Sequence, residues 1–528
     1  MKDRAMNVSA TSRTVSTPMR QASIHWQVYG VFAFCVSLFL LPFMSCVALG
    51  SDEGTLLCGA ARIVQGQVFA RDFFEVMGPG TFYWLAAFFK IFGISILAAR
   101  VYLFLILLGT ALSIYFLSRR VCARFHTLPC LILAGPYFGM AGRGVSYHLD
   151  SNFFALLATI CLLLWHTRRT NGLIIAAGAM AGVTTCFLQP KGILLFLAFL
   201  TWLWLQRRRI APPMLLIGLA TAGFLGVLGV TLAYFWSRGA LNSLVYVDFV
   251  FPARHYSGNN AVAYAYGIQE YWTVWTTGLG GSSWSVGIAA VLVVPFIFVA
   301  ALPGLILILG TRYKWRCVTP GIALLWLSGW AIWLSEFHRK DIHHLIYGSP
   351  LLFVLCFQML GEMRRKFVDL TVQILAICAV SLAGFNCLMV TIATHRSVTR
   401  VGSITMFESD RVLQSLDDHV AAGEDVLVYP YSPMYNFLSA TVNPTPYFVM
   451  VYNYNTPSQF AEIVRILERR QVRYVVWDTN FVSKVTEKVF PGSKPTRVGQ
   501  LIVEPYLESH YTTVQDDNGI RIMERKHE

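Results

Sequence analysis

Long apolar runs recur along this chain at loop-sized intervals, and they constrain the fold more than any other feature. In order they cover approximately 28–49, 97–117, 127–142, 150–166, 172–188, 192–206, 211–236, 284–310, 318–336, 345–361 and 369–392. About 20 apolar residues at 1.5 Å rise per residue cross the hydrocarbon of a bilayer. Backbone in lipid has no water to bond, so a crossing segment must be a helix or part of a closed barrel. Unbroken apolar runs select the helix over the alternating pattern of a barrel strand. The expected fold class is a polytopic α-helical membrane protein with about eleven transmembrane helices.

Composition agrees. Of 528 residues, 55% are hydrophobic and 13% charged, whereas an ordinary soluble domain carries about 25% charge. The net charge of +14 does not point to nucleic acid, because the basic residues form short clusters between apolar runs. With a cytoplasmic N-terminus, alternate loops hold Arg119/Arg120/Arg124, Arg168/Arg169, Arg207/Arg208/Arg209, Arg312/Lys314/Arg316 and Arg364/Arg365/Lys366. That is the positive-inside pattern. The opposite side receives Asp52, Glu53, Asp72, Glu75, Asp150, Asp248, Glu270, Glu336 and Asp341. The 11 cysteines lie mostly inside apolar runs and form no CxxC pair, so neither a disulfide framework nor a cysteine metal site is implied.

The expected organisation is a basic cytoplasmic tail at 1–27, a transmembrane region at 28–392 and an outer α/β domain at 393–528. The apolar run after the tail is too long for a signal peptide and reads as a retained first span. Two outer segments are long, 50–96 and 237–283. The first contains TFYWLAAFFKIF, Thr81 to Phe92, too short to span and aromatic enough to lie at the interface. In the last region Arg411 to Val420 has one apolar helical face, DVLVYP and RYVVWD read as buried strands, and Phe460 to Arg470 reads as helix. Asp517-Asn518-Gly519 is a hairpin-turn signal.

Chemistry-bearing residues gather at the outer ends of spans. The first loop gives Asp52, Glu53, Asp72 and Glu75; GRGVSYHLD gives Arg143, His148 and Asp150. CFLQPKG gives Gln189 and Lys191; SEFHRKDIHH gives Glu336, His338, Arg339, Lys340, His343 and His344. Carboxylates at a membrane face are costly and need a reason. Each residue also has a plain structural reading: Arg339 and Lys340 can snorkel to headgroups, and Asp150 can cap a helix. As a set, carboxylates facing cations suit a phosphate-bearing lipid substrate, with a base for a reacting hydroxyl and cations for the leaving phosphate. A transporter or lipid flippase also carries charge at membrane level. Against it, no repeat or matched pair of broken helices is visible, and the charges sit on one side.

The stretch SDEGTLLCGAARIVQGQVFARDFFEVMGPGTFYWLAAFFKIFGISILAAR resembles the first external loop of GT-C membrane glycosyltransferases. The resemblance is to bacterial relatives of protein O-mannosyltransferases and to transferases that add aminoarabinose or galacturonic acid to lipid A and core sugars. It rests on Asp52-Glu53 after the first span, Val64-Gln65-Gly66, Asp72 and Glu75, Pro79, the aromatic helix, Phe92-Gly93 and Ala98-Ala99-Arg100. It continues through Asp150, Gln189-Pro190-Lys191 and His343-His344, over about residues 28 to 360.

The resemblance implies a polyprenyl-phosphate sugar donor and inverting transfer to a hydroxyl of a glycolipid, polysaccharide or protein on the periplasmic face of a bacterial inner membrane. It implies Asp52 as general base, with Glu53 and Asp150 as supporting acids. Lys191, Arg339, His343 and His344 would bind the donor phosphate. Asp72, Glu75, Arg143, His148 and Gln189 would line or support the substrate site. A divalent cation is left open, with Asp52, Glu53 and Asp150 as its candidate ligands. One departure is informative: in the aminoarabinose branch Lys and Pro follow the acid that matches Glu75, whereas Val76 and Met77 follow here. The phosphate-binding role then falls to Lys191 or Arg339.

Overall fold

The computed structural model describes residues 26–50, 52–207, 212–256, 261–262, 269, 287, 319–362, 366–481, 493 and 499–526. Apart from Gly287, the expected span at 284–310 lies outside them, as do most of the second long loop and several of the basic clusters.

The described residues are mostly helical, and the chain is a membrane protein. Among the described residues, five helices are long and apolar enough to cross a bilayer: Trp26–Ser45, Ile96–Val121, Tyr147–Arg168, Pro213–Ser237 and Lys366–Ala393. A sixth crossing is available if the bent pair Ile342–Gly348 and Pro350–Gly361 counts as one. The apolar runs at 172–188, 192–206 and 318–336 appear as the shorter helices Asn171–Phe187, Gln189–Leu205 and Pro320–Ser335.

The first span is α1, Trp26–Leu40, continued by a 3-10 turn, Leu41–Ser45, that begins where Pro42 removes a backbone donor. Val31, Phe34 and Leu38 on α1 are exposed, as a lipid-facing helix requires. Then come α2 (Glu53–Val64), α3 (Pro79–Phe92) and α4 (Ile96–Val121). The run at 127–142 is not one α-helix. It is α5, Leu128–Leu133, followed by a π-helical stretch, Ala134–Met140, that contains Gly135-Pro136. Proline cannot donate an interior bond, and the register slips there.

Next are α6 (Tyr147–Arg168), α7 (Asn171–Phe187), α8 (Gln189–Leu205), α9 (Pro213–Ser237) and α10 (Leu241–Val245). Helices α7 and α9 meet through small residues: a Cβ on Gly178 would lie 2.0 Å from the Ala220 carbonyl oxygen. Close backbone approach of this kind is how helices associate in lipid. After the undescribed segment follow α11 (Pro320–Ser335), α12 (Ile342–Gly348), α13 (Pro350–Glu362) and α14 (Lys366–Ala393). The 63° bend between α12 and α13 falls at Ser349-Pro350, where Pro350 has no backbone N–H with which to continue α12.

The C-terminal region opens with a hairpin, β1 (His395–Thr399) and β2 (Gly402–Met406), then α15 (Arg411–His419). It continues through β3 (Val426–Tyr429), α16 (Met434–Leu438), α17 (Pro457–Arg470), β4 (Tyr474–Asp478), α18 (Val503–His510), β5 (Tyr511–Asp517) and β6 (Ile520–Arg525). The sheet order is β3-β4-β6-β5, with β3 parallel to β4 and the other pairs antiparallel. Both turn residues of the β5–β6 hairpin, Asn518 (φ 53°) and Gly519 (φ 90°), have positive φ, which suits the twist of a two-residue loop.

This region docks on the first loop. Arg62 of α2 donates to the carbonyls of Asn443 (2.6 Å) and Thr445 (2.8 Å). The Phe74 amide bonds the Pro446 carbonyl at 2.8 Å, and the Val47 amide bonds the Thr405 carbonyl at 2.9 Å.

Candidate active site

The Asp-Glu pair sits where the chain turns from the first span into α2, and the turn points the two carboxylates apart. Glu53, in the first turn of α2, points inward. It pairs with the Arg100 guanidinium and accepts the Val145 amide at 2.9 Å, and Arg100 also reaches the Cys46 carbonyl at 3.0 Å. Gly144 makes room, since a Cβ there would lie 2.9 Å from Glu53 Oε2. The glutamate thus ties the first loop to α4 and to the approach to α6. Asp52 is exposed. Its Oδ1 accepts the Tyr431 hydroxyl at 2.6 Å, and Oδ2 accepts nothing from the described residues.

Glu75 lies close enough to Asp52 to feel its charge. Its carboxyl is buried, accepts the Val76 amide at 2.9 Å and is hydrogen-bonded to Tyr454. Burial pushes it up to about 8, with the charge of Asp52 adding to the effect, so Glu75 holds a proton at neutral pH. Asp72 is elsewhere on the loop. It pairs with Arg71 at 2.8 Å and accepts the Val68 amide at 2.7 Å, closing a surface turn.

A second group is built on the ends of α6, α8, α11 and α12. Glu336 Oε1 meets Lys191 Nζ at 2.8 Å and His148 Nδ1 at 3.0 Å. Lys191, with 0% exposure, also donates to Ser151 Oγ (3.0 Å) and Asn152 Oδ1 (2.7 Å). Asp341 caps α12 and accepts from Arg339 Nε at 2.7 Å and from His344 Nδ1 at 2.9 Å. Burial opposes the charge on Asp341, yet His344 and Arg339 hold its carboxyl well below the usual range. The His148 ring stacks on Tyr347 at 4.6 Å and meets His344 edge-on at 4.9 Å. Asp52 lies within electrostatic reach of His343 and Tyr347.

Three further expected site residues, like Asp72, bond elsewhere. Asp150 is buried on the side of α6 facing α3 and α4, where it accepts the Thr81 hydroxyl at 2.5 Å and bonds Tyr102. Arg143 donates to the Gly139 carbonyl at 2.7 Å and lies over the Phe407 ring at 5.3 Å. Gln189 bonds Asp248.

Asp52, Glu53 and Asp150 do not fit a shared cation: the first bonds Tyr431, the second Arg100, the third Thr81 and Tyr102. Among the described residues, His148, Glu336 and His344 offer ligand atoms within 4.8 Å of one another. Lys191 already supplies positive charge to the same glutamate, so a cation there would have to compete with an ammonium.

Tyr431 and Tyr454 carry no local signal that marks them as site residues; each arrives from a distant part of the chain. Glu336 stands in a junction whose residue types do mark it.

The sequence matches no protein-family model and no curated protein sequence. Among solved structures the chain is similar to the crystal structure of ArnT from Cupriavidus metallidurans bound to undecaprenyl phosphate. The TM-score is 0.57 at 10% identity, covering 94% of this chain and 98% of that one. At this identity the likeness shows the fold alone.

Proposed function

We propose that this chain is a GT-C-type glycosyltransferase that moves a sugar from a polyprenyl-phosphate donor to a hydroxyl of a cell-envelope glycolipid, polysaccharide or protein. The observation that carries this reading is the exposed carboxylate of Asp52, within electrostatic reach of His343 in a basic cluster at helix ends, in a chain whose fold is like that of the GT-C neighbour. The neighbour's bound undecaprenyl phosphate supports the donor class. A polyprenyl tail stays in the bilayer, so its phosphate must be met at headgroup depth, where Lys191, Arg339, His343 and His344 stand at helix ends.

The reaction balances simply. The acceptor hydroxyl oxygen attacks the anomeric carbon from the face opposite the phosphate, and Asp52 takes the hydroxyl proton. The bond between carbon and phosphate oxygen breaks with its electron pair going to the leaving polyprenyl phosphate. The basic cluster meets the charge that develops there. The anomeric configuration inverts. Glu75, protonated at neutral pH, is a donor available to the acceptor, and Glu53 keeps the loop in register through Arg100. Asp150 shapes the packing of α3 against α6.

In this reading about eleven spans cross a bacterial inner membrane, the N-terminus is cytoplasmic, and the region 393–528 lies in the periplasm over the site. Reconstitution with undecaprenyl-phosphate-linked sugars, together with mass spectrometry of envelope glycolipids with and without the gene, tests it. Transfer from such a donor, or a glycan that disappears with the gene, is expected. No transfer from any such donor and an unchanged envelope would overturn it.

A further inference from the structure

The C-terminal region does more than cover the first loop: it reaches the acid on which the proposed chemistry turns. Tyr431 lies just after β3, 379 residues along the chain from Asp52, and its hydroxyl donates to Asp52 Oδ1 at 2.6 Å. Several features fix that hydroxyl in place. The Tyr431 ring is buried and stacks on Phe481 at 4.9 Å. Ser432, the next residue, has φ 78°, a left-handed backbone that a non-glycine residue adopts only when its surroundings impose it. The Pro430 carbonyl before it accepts the Met450 amide at 2.8 Å, and the Pro433 carbonyl after it accepts Cys58 Sγ of α2 at 3.2 Å.

Gly54 explains how the two segments come so close. A Cβ at this position would lie 2.4 Å from the Met434 amide nitrogen and 2.8 Å from its Cα. Only glycine, two residues from Asp52, lets the 433–434 backbone sit against the first turn of α2. The neighbouring acid is served alike, since Tyr454 of the same region bonds Glu75.

We propose that Tyr431 is a positioning residue for the transfer reaction, holding the Asp52 carboxylate so that its free oxygen faces the acceptor, and that docking of the C-terminal region therefore completes the active site. The inference rests on the glycosyltransferase reading and on Asp52 as its base. A carboxylate with one oxygen anchored presents the other in a narrow range of directions, and proton transfer depends on that geometry.

The experiment compares the full-length enzyme with Tyr431→Phe, Gly54→Ala, Asp52→Asn and, as a control in the same region, Tyr452→Phe. The control hydroxyl bonds Glu504. In reconstituted vesicles with a polyprenyl-phosphate sugar, Tyr431→Phe should lower kcat about 10- to 100-fold, the loss of one hydrogen bond to a carboxylate. Donor KM and Tm should hold, because the ring and its stacking remain. Gly54→Ala should lower kcat in the same way by displacing the 433–434 backbone. Tyr452→Phe should turn over normally, and Tyr431→Phe should add little in the Asp52→Asn background.

Wild-type kcat for Tyr431→Phe beside an inactive Asp52→Asn would overturn the positioning role and leave the function standing. A kcat loss matched by an equal fall in Tm would assign the tyrosine to stability and overturn it too. Wild-type turnover in Asp52→Asn would remove Asp52 as the base and the role of Tyr431 with it, whereas absence of transfer by the wild-type protein would overturn the functional reading itself.

Discussion

Arg100 lays its guanidinium on the carboxylate of Glu53, and the two side chains are 4% and 3% exposed. The pair joins the start of α4 to the start of α2 and so fixes the loop that carries Asp52. Removing one member of a buried ion pair leaves the other charged and desolvated, at a cost of about 3–5 kcal/mol.

Arg100→Leu should accordingly lower the Tm of the detergent-solubilised protein severely, whereas Glu53→Gln combined with Arg100→Leu should recover most of the loss. Thermal melts of the single and double variants check this. An Arg100→Leu protein as stable as wild type would show that the pair does not hold the loop.

Lys191 and Glu336 form a second buried pair at the ends of α8 and α11. Glu336→Gln removes the negative charge that balances the buried Lys191 ammonium and leaves it neutral partners, and folded yield should fall. The volume-matched apolar pair Lys191→Met with Glu336→Leu should restore stability while leaving donor binding lost. Melts and donor binding are measured on the same preparations; donor affinity at wild-type level in the double variant would remove Lys191 from the phosphate site.

Glu75 should make stability depend on pH. Its carboxyl is raised from 4.5 to about 8 by burial, so the folded protein binds a proton that the unfolded chain releases. The associated stability is fully present below pH 4.5 and is lost as pH rises through about 8. The slope across that window is at most about 1.4 kcal/mol per pH unit. Glu75→Gln should flatten the dependence of Tm on pH between 5 and 8 on the order of that slope. Equal slopes in the two proteins would place the titration elsewhere.

Much of the frame could be read from residue patterns because those patterns are local. The apolar runs around Trp26–Ser45, Ile96–Val121 and Lys366–Ala393 announce helices through length alone. DVLVYP and RYVVWD became the paired strands β3 and β4, and Asp517-Asn518-Gly519 closes the β5–β6 hairpin. The interruptions were legible in principle too, since Gly135-Pro136 and Ser349-Pro350 are breakers inside apolar runs, but hydropathy windows average over them. The count of crossings is less accessible: helices such as Asn171–Phe187 sit at the lower limit of spanning length.

The site was legible only in part, and the reason is pairing. Asp52, Glu75, Lys191 and the histidines are conspicuous because charge near lipid is costly. Which cation Glu53 would choose is not written near it; Arg100 is 47 residues away. Asp150 stands out by the same rule, yet it answers to Thr81 and Tyr102, two hydroxyls with no local signature. Tyr431 is one tyrosine among 23, and only the folded chain lays it on Asp52.

The central claim is that Asp52 takes the acceptor proton, and the most direct measurement is transfer by Asp52→Asn in vesicles loaded with a polyprenyl-phosphate sugar. Asparagine keeps the shape and the bond from Tyr431 but cannot accept the proton. Turnover about 10²- to 10⁴-fold below wild type, with Tm and donor affinity unchanged, is the predicted result. Wild-type turnover would contradict it.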